Sequence, residues 1–336
     1  MKLIELRRGG IVKGLGLYFP ISLAERLRNA RGIPQAVVKV ISYGHGSKGV
    51  GRTIDYISRK GELPLETETG DVIQSRSEQK ELVRTWSRDF DQRKTSRDGV
   101  HIAFSMPKGS NPEALRRAVR AVLRKSFSGH ESVFAIHQDK PHPHAHVVVK
   151  MRGRESGKKL RLNKPELFKL REAFAEAARE QGIQLAVSPR SARGVGRKSI
   201  RQALYHLRKR GITPNVYKRD ADEIIGSASH GDWQEKPWER AMRERNEHER
   251  RTYFEEAQSV RTEAIRLKST PDQRTEQAML KAAEDLERYS RDMPVPKTRR
   301  QILLEKIAKR FGIKYPPPRI QIQHPKQEQE HDHEID

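Results

Sequence analysis

The chain has 336 residues, of which 34% are hydrophobic and 33% charged, and it carries a net charge of +24. This length predicts about two domains. A charged fraction of this size indicates that a single compact core does not span the whole chain. The positive charge predicts an acidic polymer, first of all nucleic acid, as the partner.

Cysteine is absent, which excludes disulfides, zinc–thiolate sites and thiol nucleophiles. No apolar run approaches the ~18 residues of a membrane-spanning helix, and the first residues lack the apolar core of a signal peptide. We therefore expect a cytoplasmic protein with no membrane insertion.

The first elements of the chain follow a basic, glycine-rich stretch. Residues 1–34 are interpreted as a basic N-terminal extension with one short helix, Leu23 to Asn29. Alternating apolar residues predict a strand from Gln35 to Tyr43, followed by a glycine loop over residues 44–49. A helix is predicted from Val50 to Lys60, because a glycine follows it at the usual C-terminal position.

Capping patterns then mark the starts of three helices. Ser75 and Ser110 each precede a glutamate by three residues, which is the spacing of a capping box. A third helix is predicted to open at Asn163 and to end before Gly182. A strand, Gly99 to Met106, lies between the first two helices.

Two valine-rich strands, Ser132 to Ile136 and Ala145 to Lys150, come before the third helix, and Ile183 to Val187 is predicted as an edge strand after it. This order of elements predicts an α+β fold, with a mostly antiparallel sheet and helices packed on one side.

The composition changes after this region, and the domain organisation is predicted from that change. Residues 35–190 form the folded domain, residues 191–232 a basic segment, residues 233–315 a charged helical region and residues 316–336 an acidic tail that we expect to be disordered.

The densest chemical signal lies between the two valine-rich strands. His144 and His146 are two residues apart, so in an extended chain both rings point to the same face, and the neighbouring strand brings His137 to that face. Three imidazoles on a rigid sheet predict a metal site with open positions for a substrate, and Asp139 is placed to hold one of the rings. The alternative is a surface histidine tract that binds metal adventitiously.

A second signal is a tyrosine among basic residues. Tyr56 lies in the predicted helix with Arg52, Arg59 and Lys60, whose charge would favour a phenolate and hold a phosphate. From spacing alone, packing beside its isoleucine neighbours is the more probable role of Tyr56, and Tyr43 is an equal competitor as nucleophile. Ser105 ends the strand before Pro107, where a hydroxyl is able to meet a phosphate oxygen, although serine before a turn is common.

Taken together, three segments resemble the motifs of HUH-type conjugative relaxases, most closely the P class of mobilisation proteins that includes the border-nicking relaxase of T-DNA transfer. The segment DYISRKG (Asp55 to Gly61) resembles the tyrosine motif, HIAFSMPKG (His101 to Gly109) the serine motif, and His137 to His146 the histidine motif. The three occur in the family's order, and the likeness extends over residues 35–210.

The resemblance implies an HUH-type relaxase fold and a DNA-nicking activity. Tyr56 would be the nucleophile and Ser105 would contact the DNA backbone. His137, His144 and His146 would bind one divalent ion, manganese or magnesium. Asp139 would orient a histidine or help to activate the phenol. The 5′-phosphotyrosyl product would allow the strand to be rejoined after conjugative transfer, and the protein to be exported attached to it.

DNA contacts are expected from two groups of basic residues. Around the tyrosine these are Arg52, Arg59 and Lys60, and in the basic segment they are Arg190, Arg193, Arg197 and Lys198. The segment is expected to follow single-stranded DNA at a transfer origin, with Tyr205 as a candidate for base stacking.

Protein partners are also predicted, and two alternative functions stay open. Accessory relaxosome proteins and the coupling protein of a secretion system are the predicted protein partners, contacted through the helical region, for which a solvated spacer is the alternative. A rolling-circle replication initiator would share the chemistry. A non-catalytic DNA-binding mobilisation accessory protein is the rival from another class.

Overall fold

A computed structural model gives the fold of residues 21–91, 93, 95–195, 202–229, 235–266 and 273–312. The chain divides into two compact units. One is Arg31–Val187, and the other contains the described residues of Met1–Ala30 and Ser188–Asp336. Every described strand belongs to the first unit, which also carries four of the helices.

The strands are β1 (Val37–Gly44), β2 (Leu65–Thr67), β3 (Val72–Ile73), β4 (Gly99–Ser105), β5 (Ser132–His137) and β6 (His144–Lys150). The helices are α1 (Leu23–Ala30), α2 (Gly46–Ile57), α3 (Arg76–Ser87), α4 (Pro112–Ser126), α5 (Lys164–Glu180), α6 (Gln202–Lys209), α7 (Asn215–Ser229), α8 (Pro237–Arg266), α9 (Gln273–Asp292) and α10 (Arg299–Phe311). The α10 bounds agree with the run from Arg299 to Phe311 that hydrophobic periodicity indicates.

The six strands form one sheet in the order β1-β4-β6-β5-β2-β3, and each neighbouring pair is antiparallel. The predicted α+β class with a mostly antiparallel sheet is confirmed. The hairpin of β2 and β3 was not predicted, because strands of two or three residues are too short to show alternation. The predicted edge strand Ile183 to Val187 is wrong, since only a single parallel bridge joins Gln35 to Ala186 there.

Helices cover both faces of the sheet, whereas the sequence predicted them on one side. Val133 and Val148, paired on β5 and β6, belong to a core with apolar residues of α2 and α3. Phe104 of β4 pairs with Ala145 of β6, which points to the opposite face because neighbouring residues alternate. Phe104 contacts Phe174 of α5 there, with ring centroids 5.1 Å apart. Every residue of β5 and β6 is buried, as expected for strands that are covered on both faces of the sheet.

Two of the three predicted helix caps are present. The Ser75 hydroxyl accepts the backbone N–H of Glu78 in a full capping box at α3, and the Asn163 side chain accepts that of Glu166 at α5. The cap predicted at Ser110 is wrong. Helix α4 begins one residue later than a Ser110 cap requires, and Asn111 accepts the N–H of Glu113 instead.

Helix α2, which carries the motif tyrosine, starts inside the predicted glycine loop. Its first N–H, from Gly46, donates to Asp98 Oδ2 at 2.8 Å. Because Asp98 is 52 residues away, this cap cannot be seen in the local sequence. The helix ends at Ile57 instead of Lys60, and the next turn places Arg59 and Lys60 in the left-handed region, at φ 51° and 60°.

The second unit is built around α8 and α9. Tyr253 and Ala257 of α8 pack against Ala283 and Leu286 of α9, and Leu23 and Leu27 of α1 pack against the same core, which gives the predicted short helix near the N-terminus a place in this unit. Helix α8, which lies in the charged helical region predicted over residues 233–315, has a buried face and is not fully solvated. None of the described helices is long and apolar enough to cross a membrane.

Candidate active site

The antiparallel register of β5 and β6 assembles the three predicted histidines. His137 is paired directly with His144, and His146 is paired with Ala135, two residues along β5. Alternation then places all three rings on one face of the sheet. The prolines before β6 end the intervening loop, so the strand resumes at His144 in this register.

The three imidazoles are close enough to share one ion. One ring nitrogen from each of His137, His144 and His146 lies within 4.8 Å of the others. The exposed fractions of these residues are 5%, 7% and 8%. Neutral imidazole nitrogen is a common ligand of divalent transition ions, so the donor set fits such an ion.

Two backbone carbonyls fix which nitrogen of two rings is free. His137 Nε2 lies 2.7 Å from the oxygen of Ile57, and His144 Nδ1 lies 3.4 Å from the oxygen of His142. A carbonyl oxygen only accepts hydrogen bonds, so these ring nitrogens carry the protons. The lone pairs of His137 Nδ1 and His144 Nε2 are left for a ligand.

Burial favours the neutral form of two histidines of the cluster. It lowers the pKa of His144, and it lowers the pKa of His146 to about 3, with the neighbouring histidines acting in the same direction. Since metal binding needs unprotonated imidazole, His144 and His146 are able to bind an ion at neutral pH without first losing protons.

A fourth histidine, His101, lies beside the cluster and was not among the predicted site residues. It is 3% exposed on β4, and its Nε2 is 2.8 Å from Nδ1 of His146. Burial lowers its pKa to about 4. One signal in the sequence was available: His101 is four residues before Ser105, so both point to the same face of the strand.

Tyr56 lies at the last turn of α2 and is turned outward. Its side chain is 60% exposed, whereas Ile54 and Ile57 of the same helix are 1% and 0% exposed. The ring centroid of Tyr56 is 5.6 Å from that of His146 and 5.8 Å from that of His101, in edge contacts. The phenol is thus both accessible to a large substrate and adjacent to the imidazoles.

An open cleft of about 400 Å³ runs beside Tyr56. Its lining includes Tyr43, Arg52 and Thr53, together with His101. Arg52 precedes Tyr56 by four residues, so both side chains lie on the same side of α2. The competing tyrosine, Tyr43, lines the same cleft and has the guanidinium of Arg97 over its ring, 4.2 Å from the centroid.

Asp139 and Ser105 also reach the cluster. Asp139 Oδ2 is 3.2 Å from Arg59 Nη2, and its other oxygen is 3.7 Å from His144 Nε2. Burial raises the pKa of Asp139, but its own backbone N–H and Arg59 outweigh this and hold the pKa below its usual value. Ser105 is paired with His144 across β4 and β6, on the face that carries the histidines.

The remaining predicted DNA contacts have different surroundings. Lys60 is exposed beside Tyr56, and Arg59 is already paired with Asp139. In the other unit, Arg190 is exposed, whereas Arg193 is half-buried and burial lowers the pKa of its guanidinium. Arg197 and Lys198 lie outside the described residues. Tyr205 is exposed on α6.

Comparison with known proteins shows a similarity to relaxases over part of the chain. Residues 56–183 match the family described as "Relaxase: MobA/VirD2-like, nuclease domain". The chain is 28% identical over 221 residues to the T-DNA border endonuclease VirD2 of Agrobacterium fabrum, covering 59% of this chain and 49% of that protein. It is 26% identical over 211 residues to VirD2 of Rhizobium radiobacter, covering 56% and 50%. The chain thus spans about half the length of these curated relatives.

Among solved structures, one described as the molecular basis of vancomycin resistance transfer in Staphylococcus aureus covers 46% of this chain and 99% of its own, at 12% identity and a TM-score of 0.34. The residues that match the family model include Tyr56, Ser105 and the three clustered histidines. Residues 56–183 of this chain are thus similar to the nuclease domains of MobA/VirD2-like relaxases.

Proposed function

We propose that this protein nicks and rejoins one DNA strand at a specific site in a transfer origin, and so initiates conjugative mobilisation of a plasmid or integrative element. The observation that carries the proposal is the exposed phenol of Tyr56 beside three buried imidazoles, in a segment that matches a relaxase nuclease domain. An exposed nucleophile suits a polymer substrate, because the strand must approach from solvent.

The proposed reaction is an in-line transesterification. The Tyr56 oxygen attacks the scissile phosphorus and loses its proton, and the bond from phosphorus to the 3′ oxygen breaks. The 3′ oxygen takes up a proton, which leaves a free 3′ hydroxyl and a 5′-phosphotyrosyl link. One phosphodiester replaces another, so little free energy is lost and the same site is able to rejoin the strand.

His137, His144 and His146 would hold one divalent ion, which supplies charge stabilisation to the scissile phosphate when bound. Of the two predicted ions, Mn²⁺ fits three nitrogen ligands better than Mg²⁺, which prefers oxygen ligands and keeps several waters. The histidines contribute their lone pairs and the rigidity of the sheet.

Neighbouring side chains would position the strand. Arg52 and Lys60 are exposed on either side of Tyr56 along the chain and would bind phosphates. Ser105 would donate its hydroxyl to a phosphate oxygen beside His144. Arg59 would bind a phosphate only after breaking its ion pair with Asp139. We therefore propose that the Arg59–Asp139 pair holds the tyrosine and histidine segments together.

The wider assembly is also a proposal. Residues 35–190 would act as the relaxase domain and residues 191–232, with Arg190, Arg193, Arg197 and Lys198, would follow single-stranded DNA. Helical residues 233–315 would contact accessory relaxosome proteins and the coupling protein of a secretion system. The protein would act in the cytoplasm and leave the cell attached to the transferred strand. VirD2 is a T-DNA border endonuclease, and this similarity supports the DNA-transfer context of the proposal.

The proposal is tested with supercoiled DNA that carries the intergenic region beside the gene, incubated with the protein and Mn²⁺, Mg²⁺ or a chelator. We expect a nick at one position on one strand, dependent on the ion. Random cleavage, or no cleavage with any ion, would contradict the proposal. Strand-specific nicking that supports plasmid replication but not transfer would favour a replication initiator, and salt-sensitive binding without nicking would favour the accessory protein.

A further inference from the structure

The three clustered histidines differ in what holds their second ring nitrogen. His137 and His144 each donate an N–H to a backbone carbonyl. In His146 the ring nitrogen Nδ1 instead lies 2.8 Å from Nε2 of His101. A backbone carbonyl fixes the tautomer of its partner, whereas an imidazole is able to donate or to accept.

We propose that His101 is a positioning residue that accepts the Nδ1–H of His146 and thereby directs the Nε2 lone pair of His146 into the cluster. The proposal rests on the proposed function, since it assigns His101 a part in the same site. It gives each of the three histidines one acceptor: a carbonyl for His137, a carbonyl for His144 and an imidazole for His146.

The positions of the protons on the two rings select the direction of the hydrogen bond between His146 and His101. Two neutral imidazoles share one hydrogen bond in either of two ways. If His101 donated, Nδ1 of His146 would accept, and the proton of His146 would sit on Nε2, the atom needed as a ligand. If His101 accepts, Nε2 of His146 is bare and the proton of His101 sits on its Nδ1. Only the second arrangement leaves three lone pairs in the cluster.

The position of His101 in the sheet supports a second role for the same contact. β4 lies next to β6, and Ala103 of β4 is paired with His146, so His101 reaches its ring diagonally on the same face. His101 also makes an edge contact with Tyr56. A ring 3% exposed and packed against both residues restrains rotation of His146 while leaving Tyr56 open to solvent.

His101 is distinct from the ligands themselves. The group of side chains whose donor atoms lie within 4.8 Å of one another contains His137, His144 and His146, and His101 is not part of it. Its Nε2 is occupied by His146. An outer residue of this kind typically changes metal affinity tenfold to hundredfold when it is lost.

The direct test is the protonation pattern of His146 in the full-length, metal-free protein at neutral pH. It is read by NMR of ¹⁵N-labelled histidine side chains and assigned with His146→Gln. We expect the proton on Nδ1 in the wild type. A proton on Nε2 in the wild type would overturn the proposal. This NMR measurement needs no variant of His101.

Two substitutions then separate an acceptor from a space-filling ring. His101→Gln keeps an oxygen acceptor and His101→Met removes it at similar length. His130→Met is the control, because His130 contacts a backbone carbonyl, that of Lys150, at the far end of β6 from the cluster. We expect His101→Met to give a mixture of the two His146 tautomers and to weaken Mn²⁺ binding about tenfold to hundredfold. We expect His101→Gln to retain most of the wild-type tautomer and most of the Mn²⁺ affinity.

The proposal would be overturned if the wild type and His101→Met had the same His146 tautomer and the same Mn²⁺ affinity. It would also be overturned if Mn²⁺ affinity fell equally in His101→Met and His101→Gln. Mn²⁺ affinity is measured by the electron paramagnetic resonance of the free ion. If the wild type binds no Mn²⁺, the metal part of the proposed function fails, whereas the tautomer of His146 still decides the role of His101.

Discussion

The imidazole of His137 donates a hydrogen bond of 2.7 Å to the backbone carbonyl of Ile57, the residue after Tyr56. The two partners are 80 residues apart in the chain. This one contact ties the histidine strand to the end of the tyrosine helix. It also fixes the His137 tautomer that leaves Nδ1 free, so the position of the proposed nucleophile and the readiness of the proposed metal site depend on the same bond.

Replacing His137 with alanine removes both a ligand and this bond. We predict that His137→Ala weakens Mn²⁺ binding by more than the ~10- to 100-fold expected for loss of an outer partner, and that strand nicking falls at least as far. His130→Ala, a change of the same kind outside the cluster, should leave both unchanged. Calorimetric titration and the nicking assay check this, and undiminished Mn²⁺ binding by His137→Ala would show that the cluster is not the metal site.

Acid should destabilise the metal-free protein through the buried imidazoles. The pKa of His146 is about 3 in the folded chain and about 6.5 when unfolded. Between these values the unfolded state binds a proton that the folded state does not, so stability falls as pH falls from about 6.5 toward 3. By pH 5 this costs roughly 1–2 kcal/mol.

The contribution of His146 to this loss of stability is measured by comparing the wild type with His146→Gln at pH 7 and pH 5, in the presence of a chelator. Urea unfolding is followed by the fluorescence of Trp86, with Trp233 and Trp238 replaced by phenylalanine. Paired carboxylates also lose stability in acid in both proteins, so the difference between them reports His146. We expect a smaller loss in His146→Gln. Identical losses would mean that His146 is not protected from protonation by the fold.

The left-handed turn after α2 leads to a prediction about glycine substitutions in that turn. Lys60 is exposed at φ 60°, where a Cβ is strained and glycine is not. We predict that Lys60→Gly stabilises the domain or leaves it unchanged, within about 1 kcal/mol. Lys48→Gly, the same change at an exposed site inside α2, should destabilise it by about 1 kcal/mol. Destabilisation of similar size in both variants would contradict the strain at Lys60.

Arg52 should contact the DNA backbone beside Tyr56. We predict that Arg52→Ala weakens binding of a single-stranded oligonucleotide spanning the nick site and lowers the slope of log affinity against log salt by about 0.7, the value for one phosphate contact. Arg117→Ala removes an equal charge from an exposed position on α4, where the guanidinium of Arg117 donates to the side chain of Gln181. Fluorescence anisotropy at several salt concentrations compares the two, and equal effects would remove Arg52 from the interface.

Local sequence predicted the elements whose causes are local. The caps at Ser75 and Asn163 hydrogen-bond to N–H groups three residues on, and the period-2 pattern places His144 and His146 on one face. Both depend on neighbours within the same segment, so a single sequence suffices to see them.

The missed features depend on partners distant in the chain. Asp98 starts α2 from 52 residues away, and His101 meets His146 only because β4 and β6 are neighbours. The exposure of Tyr56 has the same origin. Sequence spacing favoured packing beside the isoleucines, whereas the helix orientation buries Ile54 and Ile57 against the sheet and leaves Tyr56 outside.

The most direct measurement of the central claim is the site of covalent attachment to DNA. An oligonucleotide spanning the mapped nick is incubated with wild type, Tyr56→Phe and Tyr43→Phe in Mn²⁺, and adducts are resolved on denaturing gels and mapped by mass spectrometry of the linked peptide. We predict a 5′-phosphate linked to Tyr56 in the wild type and in Tyr43→Phe, and no adduct in Tyr56→Phe. An adduct that survives Tyr56→Phe, or a link to Tyr43, would contradict the assignment of Tyr56 as nucleophile.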